Sequence, residues 1–89
     1  MSSRKMGTGK DRYAVVLHNS DDISFDYVVQ TLQMICGHEV TQAANCAQAA
    51  HIRGSYIVKR FKDKEYADTT VELLVDYELN AEVVDLKKK

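Results

Sequence analysis

Asn19, Ser20, Asp21 and Asp22 lie between a strand-like run, Tyr13-Ala14-Val15-Val16-Leu17, and the first helical pattern. These residue types favour turns and helix starts over strand interiors. Two carboxylates and a side-chain amide therefore crowd the junction between a buried strand and a helix. Charge there does little for stability, whereas the same groups are well suited to holding a small cation. A plainer reading stands beside this one. Asp and Ser before a helix are ordinary N-caps, acid there suits the helix dipole, and Ser24 could cap alone. His51, which closes the apolar stripe of the second helix, also has two readings. It either hydrogen-bonds the last carbonyls of its own helix or meets the turn at residues 19–21, where a neutral imidazole offers a lone pair.

Other chemistries find little support. No Ser or Cys sits in a nucleophile-elbow pattern, and no glycine-rich loop follows a strand to cradle a phosphate. Gly7-Thr8-Gly9-Lys10 has the look of a P-loop's end but lacks the preceding strand and the spaced first glycine. His18, His38 and His51 give no pair with ligand spacing on one element, so neither a metal nor a cofactor is expected. A net charge of −1 and few strand aromatics argue against nucleic acid. No apolar span of about 18 residues and no signal peptide appear, so neither membrane insertion nor export is expected. Cys36 and Cys46 fall in apolar helical contexts and read as small buried hydrophobes, which suits a reducing cytoplasm.

The elements that must position these residues are legible from periodicity. Residues 1–11 are rich in Ser, Gly, Lys and Arg and are expected to form a flexible arm; residues 12–87 are expected to form one domain. Residues 13–18 predict a central strand. Residues 24–36 predict a helix with Phe25, Val28, Val29, Leu32, Ile35 and Cys36 on its apolar stripe, closed by Gly37. A second helix over 39–51 carries Val40, Ala43, Ala44, Ala47, Ala50 and His51 on its contact face, with Gly54 as its stop. Residues 55–61 predict an edge strand whose Lys and Arg discourage unwanted pairing. A third helix is expected from 63 or 64 to 79, with Tyr66, Thr70, Leu73, Leu74 and Tyr77 on one face, and a third strand over 81–86. The order β-α-α-β-α-β predicts an α+β, two-layer open sandwich, with helices on one face of a small, mainly antiparallel sheet. The short link at Gly37 packs the first two helices antiparallel, which would bring His51 toward Asn19 and Asp21.

The line YAVVLHNSDDISFDYVVQTLQMICG, the helix end AQAAHIRGS and the segment KEYADTTVELLVDYELNAEVVDL resemble the ClpS adaptor family over nearly all of residues 13–86. The resemblance implies a non-enzymatic, monomeric cytoplasmic adaptor. Such an adaptor recognises the first residue of proteins bearing N-terminal degradation signals and hands them to the N-terminal domain of a ClpA- or ClpC-like AAA+ unfoldase, with the N-terminal arm engaged in delivery. It implies that Asn19, Asp21 and His51 bind the substrate α-amine and that Ile23, Phe25, Val28, Ala47 and Ala50 line the side-chain pocket. It further implies that Glu65 and Thr70 fall on the surface that meets the unfoldase. The chain departs from the family pattern in several places. Ser20 stands at the middle of the usual Asn-Asp-Asp, Ile23 at a usual threonine, Phe25 and Ala47 at usual methionines, Ala50 at a usual valine and Thr70 at a usual lysine. The second glycine after Gly54 is missing. The alternative is an interaction domain of the same fold with a silent pocket; the C-terminal domain of the ribosomal stalk protein has a similar sandwich.

Overall fold

The computed structural model describes residues 11–87; apart from Asp11, the expected flexible arm lies outside them. Strand β1 (Tyr13–His18) leads to α1 (Phe25–Cys36) and α2 (Val40–Arg53), then β2 (Ser55–Phe61), α3 (Lys64–Asp76) and β3 (Asn80–Asp85). The three strands form one antiparallel sheet in the order β2-β1-β3, so β1 is central and β2 an edge, as their patterns predict, and β3 is the other edge. Val15 and Leu17 of β1 and Ala81 and Val83 of β3 face the helical layer. There they meet Val29, Leu32 and Cys36 of α1, Ala43, Cys46, Ala47 and Ala50 of α2, Ala67 and Leu74 of α3, and Leu79. The alanine face of α2 lets it approach the sheet closely, as small side chains permit.

The helix ends follow from local chemistry. Ser24 is extended and its hydroxyl accepts from the Tyr27 amide at 3.2 Å, which makes it the N-cap of α1. Gly37 and Gly54 stand at φ 73° and 91°, a left-handed conformation costly for any residue with a Cβ. Helix α2 runs two residues past its expected end, to Arg53. Helix α3 stops at Asp76, three residues before its expected end. Glu78 turns left-handed at φ 70°, its amide donates to the Val75 carbonyl, and the Leu79 amide donates to the Leu74 carbonyl at 2.9 Å. This is a Schellman closure with buried Leu79 packed beside buried Leu74, and its left-handed position holds a glutamate where a glycine would signal the stop.

The buried stripes differ from expectation in places. On α3 the inward residues are Ala67, Val71 and Leu74; Tyr66 (62% exposed), Leu73 and Tyr77 face outward, and Thr70 is half-buried. The predicted stripe joined Leu74 to its bulkier neighbours, but the core beneath α3 has room for an alanine at 67. Phe25 and Val40 begin their helices and remain about half exposed for the same reason: a helix's first residue overhangs the layer it packs on. His38 is buried, and its Nε2 bonds the Val58 carbonyl at 2.8 Å. Val58 is the extra residue of a bulge, because Val15 pairs with Lys59 and Val16 with Ile57. The histidine thus satisfies a carbonyl that the bulge takes out of the ladder.

Candidate functional site

The end of β1 is tied to the corner between α2 and β2. The Asn19 amide donates to the Gly54 carbonyl at 2.9 Å, so the chain leaves the sheet beside the last turn of α2. His51 lies in that turn. Residues 20–23 then close a turn, with the Ile23 amide 3.4 Å from the Ser20 carbonyl, and α1 begins. A strand end, a helix start and a helix end thereby surround one cavity. Asn19, Asp21 and His51 line it together with Ile23, Phe25, Val28, Ala47 and Ala50, so all eight residues singled out for this site meet at one place. The cavity measures about 240 Å³. An engineered cavity of roughly 150 Å³ is enough to take a benzene ring, so an aromatic or long aliphatic side chain fits here.

Polar and apolar parts are segregated within it. Ala47 and Ala50 are buried, Ile23 and Val28 half-buried, and these form the apolar interior. Asn19, Asp21 and His51 are exposed and stand at the rim; His51 therefore does not face the core as its place on the stripe suggests. The Asn19 side-chain amide donates through Nδ2 to Asp21 Oδ1 at 3.3 Å. That contact leaves the Asn19 carbonyl oxygen and the second Asp21 oxygen as acceptors. Ser24 caps α1, so Asp21 has no capping duty. Among the described residues the His51 ring makes no hydrogen bond, to its own helix end or elsewhere. Among the described residues no Lys or Arg lines the cavity. The rim is therefore a set of acceptors around one carboxylate, which suits a group that has several N–H donors and a positive charge.

Five further residues complete the wall: Leu17, His18, Ser20, Leu79 and Asn80. Sequence reasoning did not assign them to the site. Asn80 is the β3 partner of His18, and Leu79 reaches the cavity because the Schellman turn at Glu78 brings it inward. Antiparallel pairing of the last strand with the first was the signal that could have found Asn80. His18 is engaged by Glu82, with Nε2 2.8 Å from Oε2. Glu65 and Thr70, on α3, do not line the cavity; the Thr70 hydroxyl is turned onto the Tyr66 carbonyl at 2.9 Å. Among the described residues no cluster of three metal-ligating side chains occurs, and no helix is long and apolar enough to cross a membrane.

The molecule is thus a small α+β sandwich with an acceptor-rimmed apolar cavity at the strand-to-helix corner. The chain belongs to the ClpS family: the model of that family, described as ATP-dependent Clp protease adaptor protein ClpS, matches residues 8–84. No curated protein sequence matches the chain significantly. Among solved structures the fold is similar to that of Agrobacterium tumefaciens ClpS2 bound to L-phenylalaninamide, with a TM-score of 0.75 and 20% identity. The match covers 84% of this chain and 98% of that one.

Proposed function

We propose that this protein is an adaptor that binds the N-terminal residue of substrate proteins through its free α-amine and a large hydrophobic side chain, and delivers them in the cytoplasm to a Clp AAA+ unfoldase without catalysing a reaction itself. The observation that carries the reading is the common cavity, in which three exposed acceptors, Asn19, Asp21 and His51, ring an apolar interior. An α-ammonium has three N–H donors and one charge, which matches an amide oxygen, a carboxylate and a neutral imidazole nitrogen. An internal peptide nitrogen has one donor and no charge, so it would leave acceptors unpaired at the rim, and preference for a chain end follows. The side chain of that first residue enters between Ile23, Phe25 and Val28 on one side and Ala47 and Ala50 on the other. The structural relative's bound phenylalaninamide, an aromatic residue with a free amine, is the kind of guest such a cavity suits.

The test is a fluorescence-anisotropy titration with peptides that differ only in their first residue, each with a free and an N-acetylated end. Binding of free peptides with aromatic or long aliphatic first residues, and its loss on acetylation, is the expected result. No binding to any first residue, or equal binding of both forms, would instead favour an interaction domain of this fold with a silent pocket. Unfoldase-dependent degradation of a reporter bearing the preferred first residue then tests delivery, with Glu65 and Thr70 as the positions to vary on the docking side.

A further inference from the structure

Strand β2 has an outer edge that nothing among the described residues covers. The β1–β2 ladder fixes which of its backbone groups point outward. The Asn19 amide bonds the Gly54 carbonyl, and on the other side of β1 the Leu86 amide bonds the Arg12 carbonyl at 2.7 Å. Hydrogen-bonded and non-bonded pairs alternate along an antiparallel ladder. With the bulge at Val58 counted, Ser55, Ile57 and Arg60 turn their N–H and C=O groups away from β1. The bulged Val58 carbonyl is already satisfied by His38. These outward groups of Ser55, Ile57 and Arg60, unpaired among the described residues, open into a groove of about 810 Å³, bounded across from the strand by Gly37, His38 and Gln42 of the α1–α2 corner.

The charge of this groove is one-sided. Arg53, Lys59 and Arg60 line it against a single carboxylate, Asp11. Arg53 lies over the Tyr56 ring at 5.7 Å, and Lys59 Nζ donates to the Cys36 carbonyl at 3.1 Å. Among the described residues neither arginine has an ion-pair partner. Bulges and cations on an edge strand are devices against sheet-to-sheet association. Here they act selectively: two β2 edges brought together would set arginine against arginine, whereas an acidic strand would be attracted. The acids of the opposite edge, Glu82 and Asp85, are already engaged by His18 and Arg12, so a second copy is the poorer partner. Three cations on a chain of net charge −1 are also a weak footprint for nucleic acid.

We infer that the outer edge of β2 is a second binding site, which adds an extended, acidic peptide segment to the sheet through Ser55, Ile57 and Arg60, with Arg53 and Arg60 pairing its carboxylates. Backbone pairing supplies the affinity and the arginines the selectivity. The site is separate from the first-residue cavity, with which it shares no lining residue.

The probe is a short peptide alternating glutamate and valine, N-acetylated so that it offers no α-amine, titrated into the isotopically labelled full chain and followed by amide correlation spectra. Expected are shifts and slowed exchange at the Ser55, Ile57 and Arg60 amides, weakening on added salt, and no binding of a lysine–valine peptide. Arg53→Glu with Arg60→Glu should weaken binding about tenfold or more, as expected for lost charged contacts. Ile57→Pro, which removes one outward amide and leaves the β1 ladder intact, should do similar damage; if that variant fails to fold, the arginine pair decides alone. Neither change should alter first-residue binding in the cavity. The inference is overturned by no shift with the acidic peptide, by shifts that map elsewhere, by equal binding of the lysine peptide, by tighter binding of an oligothymidine, or by edge-to-edge self-association that the peptide does not compete away.

Discussion

Asp21→Asn isolates the charge at the rim, because it keeps the shape of the side chain and leaves an oxygen to accept from Asn19. Asp21 is exposed and one of its oxygens already accepts from Asn19 at 3.3 Å, so a bound ammonium meets the other oxygen, partly in water. Hydrogen bonds to charged groups are worth roughly 1.5–3 kcal/mol, and exposure puts this one at the lower end. A loss of about 1.5 kcal/mol is roughly tenfold in affinity for a peptide with a free amine and a phenylalanine first residue. Acetylating that peptide removes the charge and two donors from all three acceptors, about 3 kcal/mol or roughly a hundredfold. The two changes should not add. Once the amine is acetylated Asp21 has no cation to read, so Asp21→Asn should leave the acetylated peptide's weak binding unchanged, and the acetylation penalty should shrink to about tenfold in the variant. Anisotropy titration of both peptides against both proteins gives the full cycle. An equal loss for both peptides would mean that the substitution disturbs the turn, and no loss for either would mean that the amine binds elsewhere.

Other outcomes can be checked on the same protein. Ala47→Leu adds three carbons to the buried interior wall of a cavity of about 240 Å³, so aromatic first residues should lose affinity more than small ones, with thermal stability changed little because the added carbons enter the cavity rather than close-packed core. Glu78→Gly relieves a left-handed residue at an exposed position and should raise stability by about 0.5–1 kcal/mol, some 2–8 °C in Tm by calorimetry. Leu74→Ala empties a fully buried site under the Schellman turn and should cost about 2–5 kcal/mol by urea unfolding, with loss of the Leu79 wall of the cavity. Burial pushes the Cys36 thiol up from its ordinary value to about 11. The unfolded chain ionises that thiol near pH 9 and the native chain does not. The stability it supports is therefore intact below about pH 9 and falls by about 3 kcal/mol as pH climbs to about 11, and Cys36→Ala should flatten that part of a pH–stability curve.

The fold was largely legible because its signals are local. Helix α1 announces itself through Val29, Leu32 and Cys36 and through two end signals, Ser24 and Gly37, that the structure uses as caps. Where the signal was absent the reading slipped. Helix α3 ends at a glutamate doing a glycine's work, and nothing in a residue-by-residue scan marks Glu78 as left-handed, because the closure rests on Leu79 packing against Leu74. The wrong face of α3 has a related cause. Tyr66, Leu73 and Tyr77 are bulkier than Ala67 and Val71, and a periodicity count weights size, whereas the core selects what fits under the helix. His38 was legible only as a spare histidine, since its partner is a carbonyl freed by a bulge twenty residues away, and a bulge is a property of strand pairing.

The site was legible to the extent that its parts are forced together by short connections. The link at Gly37 folds α2 back along α1, and the Gly54 turn leads straight into β2, which must pair with β1. Once β2 pairs with β1, the Asn19 amide opposite the Gly54 carbonyl is a consequence of register, and His51, one turn earlier in α2, has little choice but to lie beside the 19–21 turn. That part needs no tertiary knowledge beyond the antiparallel pairing of two strands. The wall built by Leu79 and Asn80 is different. It depends on how α3 ends and on β3 joining β1 on the opposite side from β2, the most distant pairing in sequence and the one with the weakest local signal. The acceptor rim thus derives from the first two-thirds of the chain and part of the cavity's far wall from the last third. A change at Glu78 or Leu79 should therefore alter which first residue fits while leaving the preference for a free amine in place. Measuring first-residue preference and the acetylation penalty separately in Leu79→Ala would show it: a changed ranking with an unchanged penalty supports the division, and a penalty that falls along with the ranking refutes it.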